Sequence, residues 1–569
     1  MRKSDVLVIA AWAAAIFGLI EGIILVICRA YPANVAPYKV SNDALWIAPL
    51  LDLGIFLIVG TAVLLIIKIG SKWLHGARIP AIVFGIFIFL GIFAVVSVPK
   101  LIHHLSAVVL SFGLTTALCR KLSGSEIRLT ALLRRRVLWI PGLIFTVGLG
   151  VVSYERAREY WQFRHLSSAP DEAVNVLLVV LDTVRYDRFT DASGVRLTPQ
   201  LDDIAAKGVT FENAWSTTSW SLPSQASILT GRYPHEHGAD WPNLQLDEKV
   251  ATLGEFFGGL GYVTGAFSGN ASWITPEYLG RGFLRFEAYI PEDVLRRTAY
   301  GRFIGRLLWE FGYHYAGRGK KAPELNDQLL RFLDDYPGRP FFAYLCYMDV
   351  NQAFHHRRLN RSFWTNAPPE AEVIAAYDRG LVLLDQQIGA LFAELEKRRI
   401  LKKTLVIITS DHGESCGSRE IDDHDPAGHG TSLYPEQTRV PLFLVFPDKI
   451  EAARKVEASV SIRQIPKTIT KLLGLADSAF NGYALPIVNY NSSEPYEAAL
   501  LATLNYDDQK VQSVVRHPWH YIINRKDTEN GEELYNLADD PLAKKLLRPN
   551  HSIGRQFRDL LEKLLAAES

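Results

Sequence analysis

The chain has 569 residues, 49% hydrophobic and 21% charged, with a mean hydropathy of +0.07. That is too apolar for an ordinary soluble enzyme and too charged for a bundle lying wholly inside a bilayer. Lys plus Arg total 61 against 60 for Asp plus Glu, so no global field points to nucleic acid and the charges are read by position. Twelve Trp, 23 Tyr and 28 Phe require a core and exclude a mostly disordered chain. Four widely spaced cysteines, Cys28, Cys119, Cys346 and Cys416, exclude a disulfide scaffold or a cysteine zinc cluster.

Apolar runs at Val6–Cys28, Ala44–Ile67, Ile79–Val98, Leu101–Leu118 and Val137–Val152 are read as five membrane spans, a bilayer requiring about 20 apolar residues. The fourth contains His103 and His104, and the fifth is short. A signal peptide accounts for the first run alone, but four more follow it. Basic residues collect before the first run (Arg2, Lys3), between the second and third (Lys68, Lys72, Arg78), and between the fourth and fifth (Arg120, Lys121, Arg128, Arg134–Arg136). The intervening loops hold only Arg29, Lys39 and Lys100. By the positive-inside rule the N-terminus is cytoplasmic, and an odd number of spans places everything after Val152 in the periplasm or outside the cell. Glu21 and Asp52 fall inside apolar runs; a functional role, a helix-packing hydrogen bond and snorkelling all remain open for them.

Residues 1–155 are thus expected to form a helical membrane domain and 156–173 a polar linker. Residues 174–569 are expected to form an extracytoplasmic α/β domain. Asn175–Leu181 (NVLLVVL) is a continuous apolar run of the kind buried on both faces of a parallel sheet. Similar runs recur at Tyr262–Phe267, Phe341–Tyr347, Thr404–Thr409 and Val440–Phe446. Helical patterns lie between them at Pro199–Lys207, Val250–Gly259 and Pro369–Arg398. This alternation predicts a mainly parallel central sheet covered by helices.

In open α/β sheets, reactive groups gather at the carboxyl ends of strands. The first strand runs into Asp182-Thr183-Val184-Arg185, and the fourth into Ser410-Asp411-His412-Gly413-Glu414. A carboxylate followed by an imidazole at a strand end suits a divalent cation, offering one hard oxygen and one borderline nitrogen. The third segment is Ser219-Trp220-Ser221-Leu222-Pro223-Ser224-Gln225, where Pro223 fits the first turn of a helix. Ser221 then sits at that helix's N-terminus, as a nucleophile beside free N–H groups or as a plain cap.

Asn175–Asp187, Ser221–Gly238, Thr409–Glu414, Gly428–Leu442 and Glu533–Leu537 resemble, in order, the sulfatase family of the alkaline phosphatase superfamily. The likeness runs from about Val174 to Leu547. It implies an α/β sandwich, one or two divalent metal ions (Ca, Mn or Zn), and transfer of a sulfuryl or phosphoryl group through a covalent enzyme intermediate. On the matching positions, Asp182, Asp411 and His412 are metal ligands and Ser221 is the nucleophile. His429 is a catalytic residue that contacts substrate or metal, or else a surface loop histidine; His424 is a weaker candidate of the same kind.

Four departures from the family pattern bear on the reaction. Gln225 replaces the arginine that directs conversion of the nucleophile to formylglycine, so an unmodified serine is expected. Thr183 stands for a second carboxylate, Asn351 for a histidine (with His355 and His356 as substitutes nearby), and Asn270 for a Lys and His pair. Thr183, Asn270 and Asn351 are therefore assigned to substrate binding. A serine sulfate ester lacks the elimination route open to formylglycine hydrate, whereas a serine phosphate ester is resolved by in-line attack at phosphorus, which tilts the chemistry toward phosphate. The metal motif and the membrane spans are also similar to those of phosphoethanolamine transferases and lipoteichoic acid synthase, while Leu222–Gly238 is closer to hydrolytic sulfatases. The expectation is a membrane-anchored hydrolase of a sulfated or phosphorylated substrate, lipid or glycan. A head-group transferase and an inactive membrane scaffold are the alternatives. Cys416 is a conceivable thiol ligand or an incidental loop residue, and Cys346 a core residue.

Overall fold

The computed structural model describes Arg2 and residues 4–29, 39–69, 79–99, 102–170, 172–190, 193–310, 319–353, 370–416, 428–475, 479–487, 499–506, 509–526, 531–547 and 551–566. Lys3, Lys72, Arg78, Lys100, His355, His356 and His424 lie outside the described residues. The chain divides into two compact units: residues 1–161 with 289–315, and residues 162–288 with 316–569.

The first unit is helical. Its helices α1 (Ser4–Cys28), α2 (Ala44–Ile69), α3 (Ile79–Ser97) and α4 (His104–Leu122) are each long and apolar enough to cross a membrane. A bent pair, α5 (Glu126–Arg135) and α6 (Trp139–Arg164), meets at 63° and makes a fifth span if the two count as one. Exposed side chains such as Ile58, Ile66, Val109 and Phe112 give these helices apolar outer faces, an arrangement compatible with a membrane protein. The linker expected over residues 156–173 is helical as far as Arg164. Its Glu, Arg and Tyr residues are compatible with helix, and polarity alone does not end one.

Residues 289–315, expected to belong to the α/β domain, group instead with the long apolar helices. They carry the helices Pro291–Arg297 and Ala299–Glu310. Val294 is buried among Leu25, Val40, Ala44 and Ile47, and Ala299 and Tyr300 join the core containing Phe56 and Phe87. A 12-residue amphipathic helix has too short an apolar run to register as membrane-associated in a hydropathy reading. Glu21 is fully buried, and its Oε1 accepts from the backbone N–H of Ala299 at 2.6 Å. Of the readings left open for Glu21, the structure shows a packing hydrogen bond. Asp52 is also fully buried.

The second unit is built on a nine-stranded sheet. Its strands are β1 (Asn175–Leu181), β2 (Val209–Trp215), β3 (Val263–Ser268), β4 (Arg285–Glu287), β5 (Phe341–Tyr347), β6 (Thr404–Thr409), β7 (Arg439–Val440), β8 (Leu442–Val445) and β9 (Arg454–Ser461). The order is β4-β3-β5-β1-β6-β8-β2-β7, with β9 beside β2. The pairs β4-β3-β5-β1-β6 and β2-β9 are parallel, whereas β8 is antiparallel to both β6 and β2. The sheet is therefore mixed but mainly parallel, as expected. The run at Val440–Phe446 is split by Pro441, which cannot donate to a ladder.

β1 lies at the centre of this sheet, and its residues from Val176 to Leu181 are buried. Burying each Val or Leu contributes about 1.5–3 kcal/mol, and both faces of the strand are used. One face packs under the helix Glu370–Lys397 through Tyr377, Leu381, Leu384 and Ile388. A second, antiparallel sheet of β10 (Leu500–Tyr506), β11 (Gln509–Arg516), β12 (Trp519–Asn524) and β13 (Glu532–Asn536) packs with the C-terminal helix through Tyr521, Phe557 and Leu561.

Candidate active site

β1 and β6 are parallel neighbours, with Val180 beside Thr409. That register carries both chains off the same sheet edge at Asp182 and Asp411. Each acid is fully buried, as is His412. Backbone bonds fix the exits: Asp182 N–H donates to the carbonyl of Tyr347 at 2.8 Å, and Val184 N–H donates to Ser410 Oγ at 3.0 Å. Arg185 braces the loop after β6 by donating to the carbonyls of Glu414 (3.0 Å) and Ser415 (3.2 Å), while its other nitrogens grip Asp187.

Ser221 opens a ten-residue helix, Ser221–Thr230, that is buried along its whole length. The cap position is Trp220, and Gly231, at φ 73° in the left-handed region, closes the other end. Ser221 is thus the first helical residue and not the cap. Its Oγ lies 3.2 Å from His412 Nε2, 3.4 Å from Asp182 Oδ2 and 3.4 Å from Asn270 Nδ2. A fully buried helix needs partners for its polar side chains. Ser224 Oγ and Ser216 Oγ bond each other at 3.0 Å, and His237 Nε2 approaches the carbonyl of Pro223 at 3.0 Å while Nδ1 accepts from Ala239 N–H at 3.1 Å. Burial pushes the His237 imidazole down to about 3.

Asp182, Asp411 and His412 each offer one donor atom, all within 4.8 Å of one another. Two carboxylate oxygens and an imidazole nitrogen suit a divalent cation. The surroundings fit the same purpose. Burial, and then the neighbouring Asp411 carboxylate, push Asp182 up to about 6. Burial works against protonated His412, but Asp411 and Asp182 outweigh it and leave the imidazole raised. A buried cluster that holds excess negative charge this way is one that a cation relieves. The side-chain oxygens of Asn351 and Gln225 are buried without a hydrogen-bond partner, although their amide nitrogens hold Asp182 and Asp411. His412 Nδ1 approaches the Gly413 carbonyl at 2.8 Å. With the proton on Nδ1, Nε2 keeps its lone pair on the side facing Ser221.

The remaining candidates divide by their contacts. Asn270 and Asn351 donate to the two oxygens of Asp182, each at 3.1 Å. Thr183 adopts φ 65°, which a β-branched residue rarely does. Its hydroxyl turns back to the Asp182 carbonyl at 2.7 Å, and its backbone N–H faces Asp411 Oδ1 at 3.4 Å. His429 does reach the cluster: its ring centroid is 4.5 Å from that of His412, and Nδ1 lies 2.7 Å from Glu414 Oε2. Cys416 is buried in the hydrophobic core and stands outside the ligand group; burial pushes its thiol up. Cys346 is buried in β5, and its Sγ receives the Gln225 amide at 3.3 Å.

Two residues have a place at the site that their sequence setting did not disclose. Gln225 Nε2 donates to Asp411 Oδ2 at 2.8 Å, and Glu414, fully buried, orients His429. Glu414 follows the Asp-His pair by two residues, a spacing that carried the signal but not the partner.

Residues 174–475 match the sulfatase family. The chain is 25% identical over 333 residues to N-sulphoglucosamine sulphohydrolase of Homo sapiens, covering 52% of this chain and 60% of that protein. It is 24% identical over 422 residues to a Delta 4,5-hexuronate-2-O-sulfatase of Bacteroides thetaiotaomicron, covering 64% of this chain and 82% of that protein. Among solved structures it is similar to a 2-O GAG sulfatase (TM-score 0.55, 19% identity, 70% of this chain and 92% of that one). It is also similar to a phosphonate monoester hydrolase of Agrobacterium radiobacter (TM-score 0.52, 19% identity, 69% and 95%). These structural likenesses show the same fold. With a mainly parallel sheet, a buried Asp-Asp-His cluster beneath a helix-borne serine, and a family match over more than half its length, the chain belongs to the sulfatase family.

Proposed function

We propose that the protein is a membrane-anchored, metal-dependent hydrolase that cleaves a sulfate or phosphate ester through a covalent intermediate on Ser221, with the catalytic unit on the side of the membrane away from the cytoplasm. The observation that carries this reading is the position of Ser221 Oγ, 3.2 Å from His412 Nε2 and 3.4 Å from Asp182 Oδ2 at the head of a buried helix. A divalent cation held by Asp182, Asp411 and His412 supplies charge neutralisation to the transferred group and lowers the pKa of the serine hydroxyl.

The chain's own residues do the rest. Ser221 Oγ, its proton passing to solvent, attacks phosphorus or sulfur, and the bond to the substrate alcohol breaks in line. The first-turn N–H groups of the helix and the Asn270 amide, 3.4 Å from Ser221 Oγ, are placed to donate to the anion's oxygens. His429, oriented by Glu414, gives a proton to the leaving alkoxide, and water then attacks the Ser221 ester and restores the hydroxyl. Asn351 and Gln225 hold Asp182 and Asp411 in position. Hydrolysis of a serine ester by attack at the central atom suits phosphorus, which favours a phosphate ester.

Purified protein with Mn, Zn or Ca, offered aryl sulfates and phosphate mono- and diesters in water, tests this. Turnover that disappears in Ser221→Ala is the expected result. Head-group release from a phospholipid only when an acceptor is present identifies a transferase instead, and absence of bound metal together with unaltered behaviour of Ser221→Ala identifies a scaffold.

A further inference from the structure

We propose that the helix Ala299–Glu310 lies in the membrane interface, with its apolar stripe among the acyl chains of the leaflet at which α3 ends. This rests on the reading of α1–α4 as membrane spans. The helix is inserted between two stretches of the catalytic unit, yet it is part of the membrane unit. Three side-chain anchors hold it there. Glu21 of α1 accepts from Ala299 N–H at 2.6 Å, Tyr300 Oη donates to the Leu90 carbonyl at 2.7 Å, and Arg302 donates to the carbonyls of Ser97 (2.7 Å) and Val98 (3.3 Å) at the end of α3. The Tyr300 ring also meets Phe56 edge-on at 5.9 Å.

These anchors leave Phe303, Ile304, Leu307 and Leu308 exposed, Phe303 by 65%. At 3.6 residues per turn those four share one arc with Tyr300, while Arg302 and Arg306 fall on the other side and Glu310 borders the arc beside Phe303. In the catalytic unit, the large apolar side chains that are exposed among the described residues stand singly, as at Val195, Leu383 and Tyr483, or as the pair Leu546 and Leu547. Four on one side of a 12-residue helix form a patch, and water does not solvate such a patch without cost. The helix is about 18 Å long, too short to span a bilayer of about 30 Å. An apolar arc continuous with a lipid-facing bundle and backed by arginines suits an in-plane position, where phospholipid phosphates meet the basic side.

Site-directed fluorescence on the full-length protein tests the proposal. A bimane label is placed at Phe303→Cys, Leu307→Cys, Arg306→Cys or Ile58→Cys, in a background lacking the partly exposed Cys28 and Cys119. Each variant is reconstituted into phosphatidylcholine vesicles with plain or brominated acyl chains. The labels at 303 and 307 are expected to lose most of their fluorescence to brominated chains and to resist aqueous iodide, with the reverse at 306. Iodide quenching at 303 and 307 equal to that at 306, while the α2 label at 58 is still quenched by brominated chains, overturns the proposal and leaves the membrane reading standing. If the label at 58 also escapes brominated chains, both fall.

Discussion

The Gln225 side-chain amide donates to Oδ2 of Asp411 at 2.8 Å, so Gln225 supports the candidate metal-ligand group. Both it and Asp411 are fully buried, and loss of the amide leaves a carboxylate oxygen unpaired.

Gln225→Leu is therefore expected to weaken divalent-metal affinity by about 10- to 100-fold, the usual cost of losing a ligand's supporting hydrogen bond. Metal titration of the purified variant, read by calorimetry, measures this. Unchanged affinity with unchanged turnover removes Gln225 from the site.

Ser221→Ala is expected to abolish turnover, by about a thousandfold or more, while metal binding persists because the Asp-Asp-His donors are untouched. Steady-state kinetics alongside metal content separates these effects. A variant that loses its metal as well makes Ser221 a structural residue.

Glu414→Gln is expected to lower kcat by about 10- to 100-fold with little change in KM, because His429 keeps a hydrogen-bond acceptor but loses the charge that steadies its protonated form. An equal fall in His429→Gln, and no further fall in the double variant, shows that the two act as a unit. Additive losses show that they do not.

His237 gives a pH signature of stability. Its folded-state pKa, about 3, lies below the ordinary 6.5, so the unfolded chain binds the proton first and stability is lost as pH falls from about 6.5 toward 3. Between pH 7 and pH 5 the wild type is expected to lose about 2 kcal/mol more than His237→Gln, measured by unfolding of the full chain in detergent. Parallel pH profiles contradict this.

Much of this architecture is legible in the amino-acid sequence. The apolar runs from Asn175, Phe341 and Thr404 became β1, β5 and β6 with the expected ends, because strands buried on both faces have a composition that no surface segment shares. Asp182, Asp411 and His412 were expected at the site because they follow such strands, and Ser221 because Pro223 marks the first turn of a helix. The roles of Gln225 and Glu414 were not legible, since a hydrogen-bond partner 186 residues away in sequence leaves no local trace. Nor did residues 289–315 declare their place with the long apolar helices. Their apolar residues are spaced for one side of a short helix, and only the contacts of Val294, Ala299 and Tyr300 reveal what that side meets.

Mass spectrometry of the peptide containing Ser221, from protein quenched during turnover of a phosphate ester, tests the nucleophile most directly. The expected spectrum shows an intact serine in resting protein and a phosphoryl group on Ser221 in the quenched sample. A peptide whose residue 221 has become an aldehyde, or one that never carries the transferred group while product accumulates, contradicts it.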